Sequence, residues 1–195
     1  MASKVQIISD AFVNLGKQPV NSPLTDNPIY IAASGIYDRI LPVVIVKHPW
    51  RFSIKTFELA TLTDEIPFDR WSYVYQLPGE MLLLIRTDPL INFEIYGDKL
   101  YANVNELKIE YQYKASESEF PAHFADLMTL ELTARIAMTV TQLGDLAQMW
   151  RTEAQKALML ARAIDSSMMP NQAVVRDRLI SAHTGPYISY IGGSI

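Results

Sequence analysis

The chain contains no cysteine in 195 residues. Disulfides, thiolate metal sites and cysteine nucleophiles are therefore excluded. A reducing compartment is compatible with this absence but not required by it. Histidine is scarce too, with three copies: His48, His123 and His183. They lie far apart without metal-ligand spacing such as His-Glu-x-x-His, so each reads as a structural or surface residue and no metal or other cofactor is expected. No Gly-x-Ser-x-Gly elbow is present, and no glycine-rich phosphate loop precedes a helix. Positive charge is in deficit, with 17 Lys and Arg against 21 Asp and Glu and a net charge of −4. A protein that holds nucleic acid by its phosphates usually has the opposite sign. Long apolar runs are also missing. Leu41 to Val46 is short and carries Pro42, which is not enough to span a bilayer. The start, Met1 to Val5, has no apolar h-region, so no signal peptide is expected.

What is present is core-forming material. Hydrophobic residues make up 49% and charged residues 19%, the balance of a packed domain with at most a subdomain or a tail. Ser3 predicts an N-cap, Val5, Ile8, Phe12 and Leu15 recur at helical spacing, and Gly16 suits the C′ position. Asn27-Pro28 predicts the cap and first residue of a second helix. Pro42 should kink or break its last turns, and Val43 to Val46 could equally be a strand. Pro49 then disfavours helical dihedrals at His48 and stops the helix. Trp50 and Phe52, flanking Arg51, read as the start of a strand anchored in the core.

The middle of the chain reads as β. Phe52 to Leu62 is one candidate strand, with a phase slip near Lys55-Thr56 as at a bulge. Tyr73, Tyr75 and Leu77 keep period two, Pro78-Gly79 turns the chain, and Gly97-Asp98 is a two-residue hairpin loop. Leu107, Ile109, Tyr111 and Tyr113 alternate with Lys108, Glu110, Gln112 and Lys114, the pattern of a half-wet antiparallel strand. Pro121 to Leu143 is apolar almost all round and predicts a buried helix, with Glu131 and Arg135 able to pair four residues apart. Gly144-Asp145 should end it and cap the next helix. There Leu146, Trp150, Ala154, Ala157, Ala161 and Ile164 share one face. The fold class expected is α+β, a helical bundle built from both chain ends with an inserted antiparallel β subdomain and an extended C-terminal tail. The divisions are residues 1–50, 51–115, 116–167 and 168–195. The last segment is uncharged, aromatic and glycine-rich from Thr184 on, a composition suited to burial against a partner.

Several landmarks combine in order: Ala11-Phe12-Val13-Asn14-Leu15-Gly16 followed by Pro19-Val20, Tyr37-Asp38, His48-Pro49-Trp50-Arg51-Phe52, Tyr75-Gln76-Leu77-Pro78, Tyr96-Gly97-Asp98-Lys99-Leu100-Tyr101-Ala102-Asn103, and Phe120-Pro121. From Lys4 to Asp165 the chain resembles the tail tubular protein A family, the head-to-tail adaptors of short-tailed bacteriophages. It departs from the family in the apolar stretch Leu41 to Val46, where charged residues are common. The resemblance implies a virion structural protein without enzymatic activity, made in the host cytoplasm. It implies a ring of copies, twelve-fold in known members, between the portal protein and a tail nozzle protein of the tail tubular protein B type. Double-stranded DNA would pass through the lumen during ejection without specific binding, and no membrane would be engaged. Asn14, Leu15, Gly16, Tyr37, Asp38, His48, Pro49, Trp50, Phe52, Leu77 and Pro78 would be the structural anchors. Arg176, Arg178, Tyr187, Ile188, Tyr190, Ile191 and Ile195 would form the portal-docking tail.

Two other classes compete. Asp64-Glu65 or Glu117/Glu119 could serve a carbohydrate hydrolase of the cell envelope as a carboxylate pair, although polar turns hold such residues ordinarily. Tyr73, Tyr75, Tyr96, Tyr101, Tyr111 and Tyr113 could stack single-stranded bases, but few cations accompany them, and core or interface is the favoured reading.

Overall fold

The computed structural model describes residues 2–23, 27–63, 67 and 70–168. The proposed docking residues Arg176 to Ile195, together with His183, Asp64 and Glu65, lie outside the described residues. Helix α1 spans Lys4–Asn14, and the Ser3 hydroxyl caps it by accepting from the Gln6 N–H at 3.2 Å. It closes in a Schellman motif: Lys17 N–H donates to Phe12 O and Gly16 N–H to Val13 O, both at 2.9 Å. Gly16 sits at φ +70°, where a Cβ would be strained.

Helix α2 spans Pro28–Val46, with Asn27 Oδ1 accepting from the N–H groups of Ile29 and Tyr30. Pro42 does not break it, and Val43–Val46 are helical, not a strand. Burial of Leu41, Val44 and Ile45 outweighs the missing donor and the β-branched propensities. α2 is long and apolar enough to cross a membrane by length and composition. Its inner face, including Tyr30, Ala33, Tyr37 and Ile40, packs into the protein core.

Among the described residues, six strands form two antiparallel three-stranded sheets. β1 (Ile54–Leu59), β6 (Leu107–Tyr113) and β3 (Met81–Asp88) lie in the order β1-β6-β3; β2 (Tyr73–Gln76), β5 (Lys99–Ala102) and β4 (Phe93–Tyr96) lie in the order β2-β5-β4. The Gly97-Asp98 loop joins β4 to β5 as expected, with Tyr96 opposite Lys99 and Gly97 at φ +63°.

The strand expected from Phe52 to Leu62 is shorter. Arg51–Ser53 form a 3₁₀ turn, and after Leu59 the chain leaves the first sheet, where Thr61 bridges Tyr75 and Leu62 N–H donates to Val74 O. The apparent phase slip is therefore exposure on an edge strand. The β1–β6 register is unbroken, and the irregularities lie in β3, between Met81 and Leu83 and between Leu84 and Arg86. β6 is not half-wet throughout, because Gln112 is fully buried.

Helices α3 (Ala122–Thr141) and α4 (Gly144–Ser167) complete the described chain. Gly144 is not the stop signal. Gln142 takes the left-handed conformation at φ +58° and ends α3, while Leu143 precedes the first residue of α4. The inner face of α4 centres on Ala147, Ala154 and Ala161, one small residue per heptad, and Trp150 sits half-buried at its flank. α3 packs against each of the other three helices. One core runs from Ile7, Ile8 and Phe12 through Tyr37, Ile45, Trp50 and Leu132 to Tyr75, Leu107 and Tyr111. The class is α+β.

Candidate functional site

The His48–Phe52 segment joins the helical and β parts of the chain. A helix end leaves carbonyls without intrahelical donors. Here three side chains, two of them distant in sequence, supply donors. Trp50 Nε1–H donates to Val44 O at 3.2 Å, Gln112 donates to Ile45 O at 2.9 Å and His48 O at 2.6 Å, and Arg162 donates to Lys47 O. The C-terminus of α2 is thus held by the 3₁₀ turn, β6 and α4 together. Trp50 has no exposed surface and meets Phe124 edge-to-face at 5.1 Å. Phe52 packs on Phe120 and Phe124 at 5.6 and 4.6 Å. Pro49 stays exposed at the bend.

The other anchors also join elements. Asn14 Nδ2 donates to Thr133 Oγ1 at 3.3 Å and links α1 to α3, while Leu15 is buried. Asp38 pairs with Lys4 at 2.8 Å. The buried Tyr37 hydroxyl donates to Glu117, and burial first and Glu117 second hold it in the neutral form. Leu77 N–H donates to Asp98 O and Gln76 Nε2 to the Asp98 carboxylate, so the Tyr75–Pro78 and Tyr96–Asn103 segments touch each other. The Gln76 hydrogen bond holds the Asp98 carboxyl below its usual range. Pro78 O accepts from Met81 N–H in the turn into β3.

Histidines distant in sequence come together. His48 Nε2 lies 3.3 Å and His123 Nε2 4.0 Å from the carboxylate of Asp165, which is 3% exposed. Among the described residues no group of three histidine or acidic side chains is arranged to hold a metal ion. Glu131 does not pair with Arg135. It is buried against Lys47, because α2 ends beside α3. Glu117 is engaged by Tyr37, and Glu119 accepts from Ser116 N–H and the Tyr113 hydroxyl.

Four of the six strand tyrosines, Tyr75, Tyr101, Tyr111 and Tyr113, are buried. The Tyr111 hydroxyl donates to Glu80 at 2.9 Å; burial first, then Glu80, pushes it up to about 12. Tyr96 is exposed and donates to Glu94, which Arg70 and Trp71 also reach. These donors, Arg70 foremost, lower the Glu94 carboxyl to about 2.

Large apolar side chains are exposed on both the sheets and the helices. On the sheets, Leu83, Phe93, Ile95 and Leu90 (89% exposed) border a groove of about 500 Å³ between β3 and β4. On the helices, Leu143, Met149, Met159 and Leu160 lie exposed along α4 and its entry. No protein-family profile matches the chain, and no curated protein is significantly similar to it.

Proposed function

We propose that this chain is the structural subunit of a head-to-tail adaptor in a short-tailed phage virion. In this reading the four helices form a bundle built from both chain ends, and the two sheets form the inserted β subdomain. Copies build a ring beneath the portal, the β part meets the nozzle protein, and DNA passes through the lumen. The segment from residue 168 onward reaches the portal. The net charge of −4 suits a conduit that must release DNA.

The observation that carries the reading is the placing of large apolar side chains at the surface on both the sheet and the helix sides. Leu90, Phe93 and Ile95 stand on one, Met159 and Leu160 on the other. Contiguous apolar exposure, as along the groove between β3 and β4, marks a protein interaction surface. The reading is supported further by the ordered motifs, whose residues join separate elements at the α2 end and at the Gly97-Asp98 hairpin.

The test is truncation. A chain lacking Thr184 to Ile195 is compared with the full chain for binding to purified portal rings. Docking through Tyr187, Ile188, Tyr190 and Ile191 predicts a loss of at least about tenfold in affinity, since each large apolar side chain contributes about 1.5–3 kcal/mol when buried. Undiminished binding would remove the tail from the docking role.

A further inference from the structure

Two cavities flank α3, and their charges are opposite. The first, of about 510 Å³, lies where α1 meets the start of α3, with Asp10, Asp126, Gln6 and Asn14 in its lining. The second, of about 400 Å³, lies between the end of α2, α3 and α4, with Lys47, Glu131, Arg135, Arg151 and Gln155 in its lining. In the second cavity Lys47 and Glu131 neutralise each other as an ion pair. Arg135 and Arg151 remain. In the first, Asp10 and Asp126 are the charged groups. All four side chains belong to exposed residues, and none has an ionic or hydrogen-bond partner among the described residues.

The helix sets the directions. Nine residues separate Asp126 from Arg135, which at about 100° per residue is about 180° around α3, with a rise of about 14 Å. α1 bounds the acidic side and α4 the basic side. One face of the subunit therefore carries two unpaired carboxylates, and the opposite face carries two unpaired guanidiniums.

We infer that these faces meet between neighbouring copies of this chain, with Asp10 and Asp126 of one copy entering the basic cavity of the next. The inference rests on the ring reading above and adds which residues form the seam and which way it runs. A two-fold contact would set each face against itself, basic on basic or acidic on acidic, and like charges disfavour that arrangement. A head-to-tail contact pairs each face with its complement at every step. Such heterologous contacts generate a ring when the rotation closes. Guanidinium groups suit this role, because their planar fork receives a carboxylate in two parallel hydrogen bonds. Charge complementarity also fixes polarity: the wrong face of a neighbour is repelled before apolar contacts form.

The experiment uses the full chain assembled on portal rings, with bound copies counted by native mass. D10K/D126K and R135E/R151E are each expected to lower occupancy of the portal by about tenfold or more at equal concentration. The fourfold variant, with both faces reversed, is expected to recover it. Circular dichroism and melting of the free subunits establish that each variant is folded. Full assembly by R135E/R151E, or no recovery in the fourfold variant, overturns the seam. If wild type itself fails to assemble on the portal, the ring reading fails instead. A second measurement needs no template. Because the chain has no cysteine, D126C and R151C copies can be mixed and oxidised. The seam predicts mixed dimers in excess over either homodimer. A statistical mixture overturns it.

Discussion

Replacing Trp50 tests the claim that the His48–Phe52 segment is the joint between helices and sheets. The side chain has no exposed surface, packs edge-to-face on Phe124, and donates its indole N–H to Val44 O. Truncation to alanine removes the ring and leaves a cavity, which costs about 3–5 kcal/mol for a large aromatic. Loss of the hydrogen bond adds about 0.5–1.5 kcal/mol. The expected total is roughly 4–6 kcal/mol, a large part of the 5–15 kcal/mol typical of folded proteins. Trp50→Phe keeps most of the aromatic contact and loses the donor, so about 1–2 kcal/mol is expected. At about 2–4 °C per kcal/mol for a chain of this size, the alanine variant should melt about 10–20 °C lower. Equilibrium urea unfolding followed by circular dichroism gives both differences. A loss below about 1.5 kcal/mol for Trp50→Ala, or equal losses for the two variants, would refute the argument.

Gln112→Leu removes the donor shared by Ile45 O, His48 O and Ser53 Oγ. It should cost about 2–3 kcal/mol in the same assay, whereas the exposed Lys108→Ala on the same strand should stay within about 0.5 kcal/mol. Glu94 supplies a pH signature. Its folded carboxyl lies at about 2, below the ordinary 4.5, with Arg70 as the leading cause. A depressed carboxyl stabilises the fold above the unfolded value, and that contribution is lost as pH falls from 4.5 through about 2. A carbon-detected NMR titration should place its midpoint near 2, and a midpoint at the ordinary value would contradict the Arg70–Tyr96–Trp71 arrangement.

Much of the local structure was legible because short-range chemistry decides it. Ser3, Gly16, Asn27-Pro28 and Gly97-Asp98 set caps and a turn within a few residues of themselves, and the fold places them as expected. Misreadings arise where a distant partner decides. Pro42 is tolerated because Leu41, Val44 and Ile45 are buried. Glu131 pairs with Lys47 instead of Arg135, 84 positions away in sequence instead of four. Gln112 falls in the polar register with Lys108, Glu110 and Lys114 yet is buried, because the end of α2 needs donors. Beyond the Gly97-Asp98 hairpin, strand pairing was not legible either, since period-two patterns state which face is apolar but not which strand lies alongside. The opposed charges at Asp10/Asp126 and Arg135/Arg151 emerge only once α1 and α4 are placed on α3. Their signal in the sequence was the interruption of an apolar helix by Asp126, Glu131 and Arg135, of which Glu131 pairs within the subunit.

The most direct test of the adaptor reading is the mass of the complex formed when the full chain meets purified portal rings. The account predicts a single added layer whose mass equals a closed ring of copies, twelve if the portal symmetry is matched. A portal that takes up no copies, or only scattered single ones at saturating concentration, would contradict it.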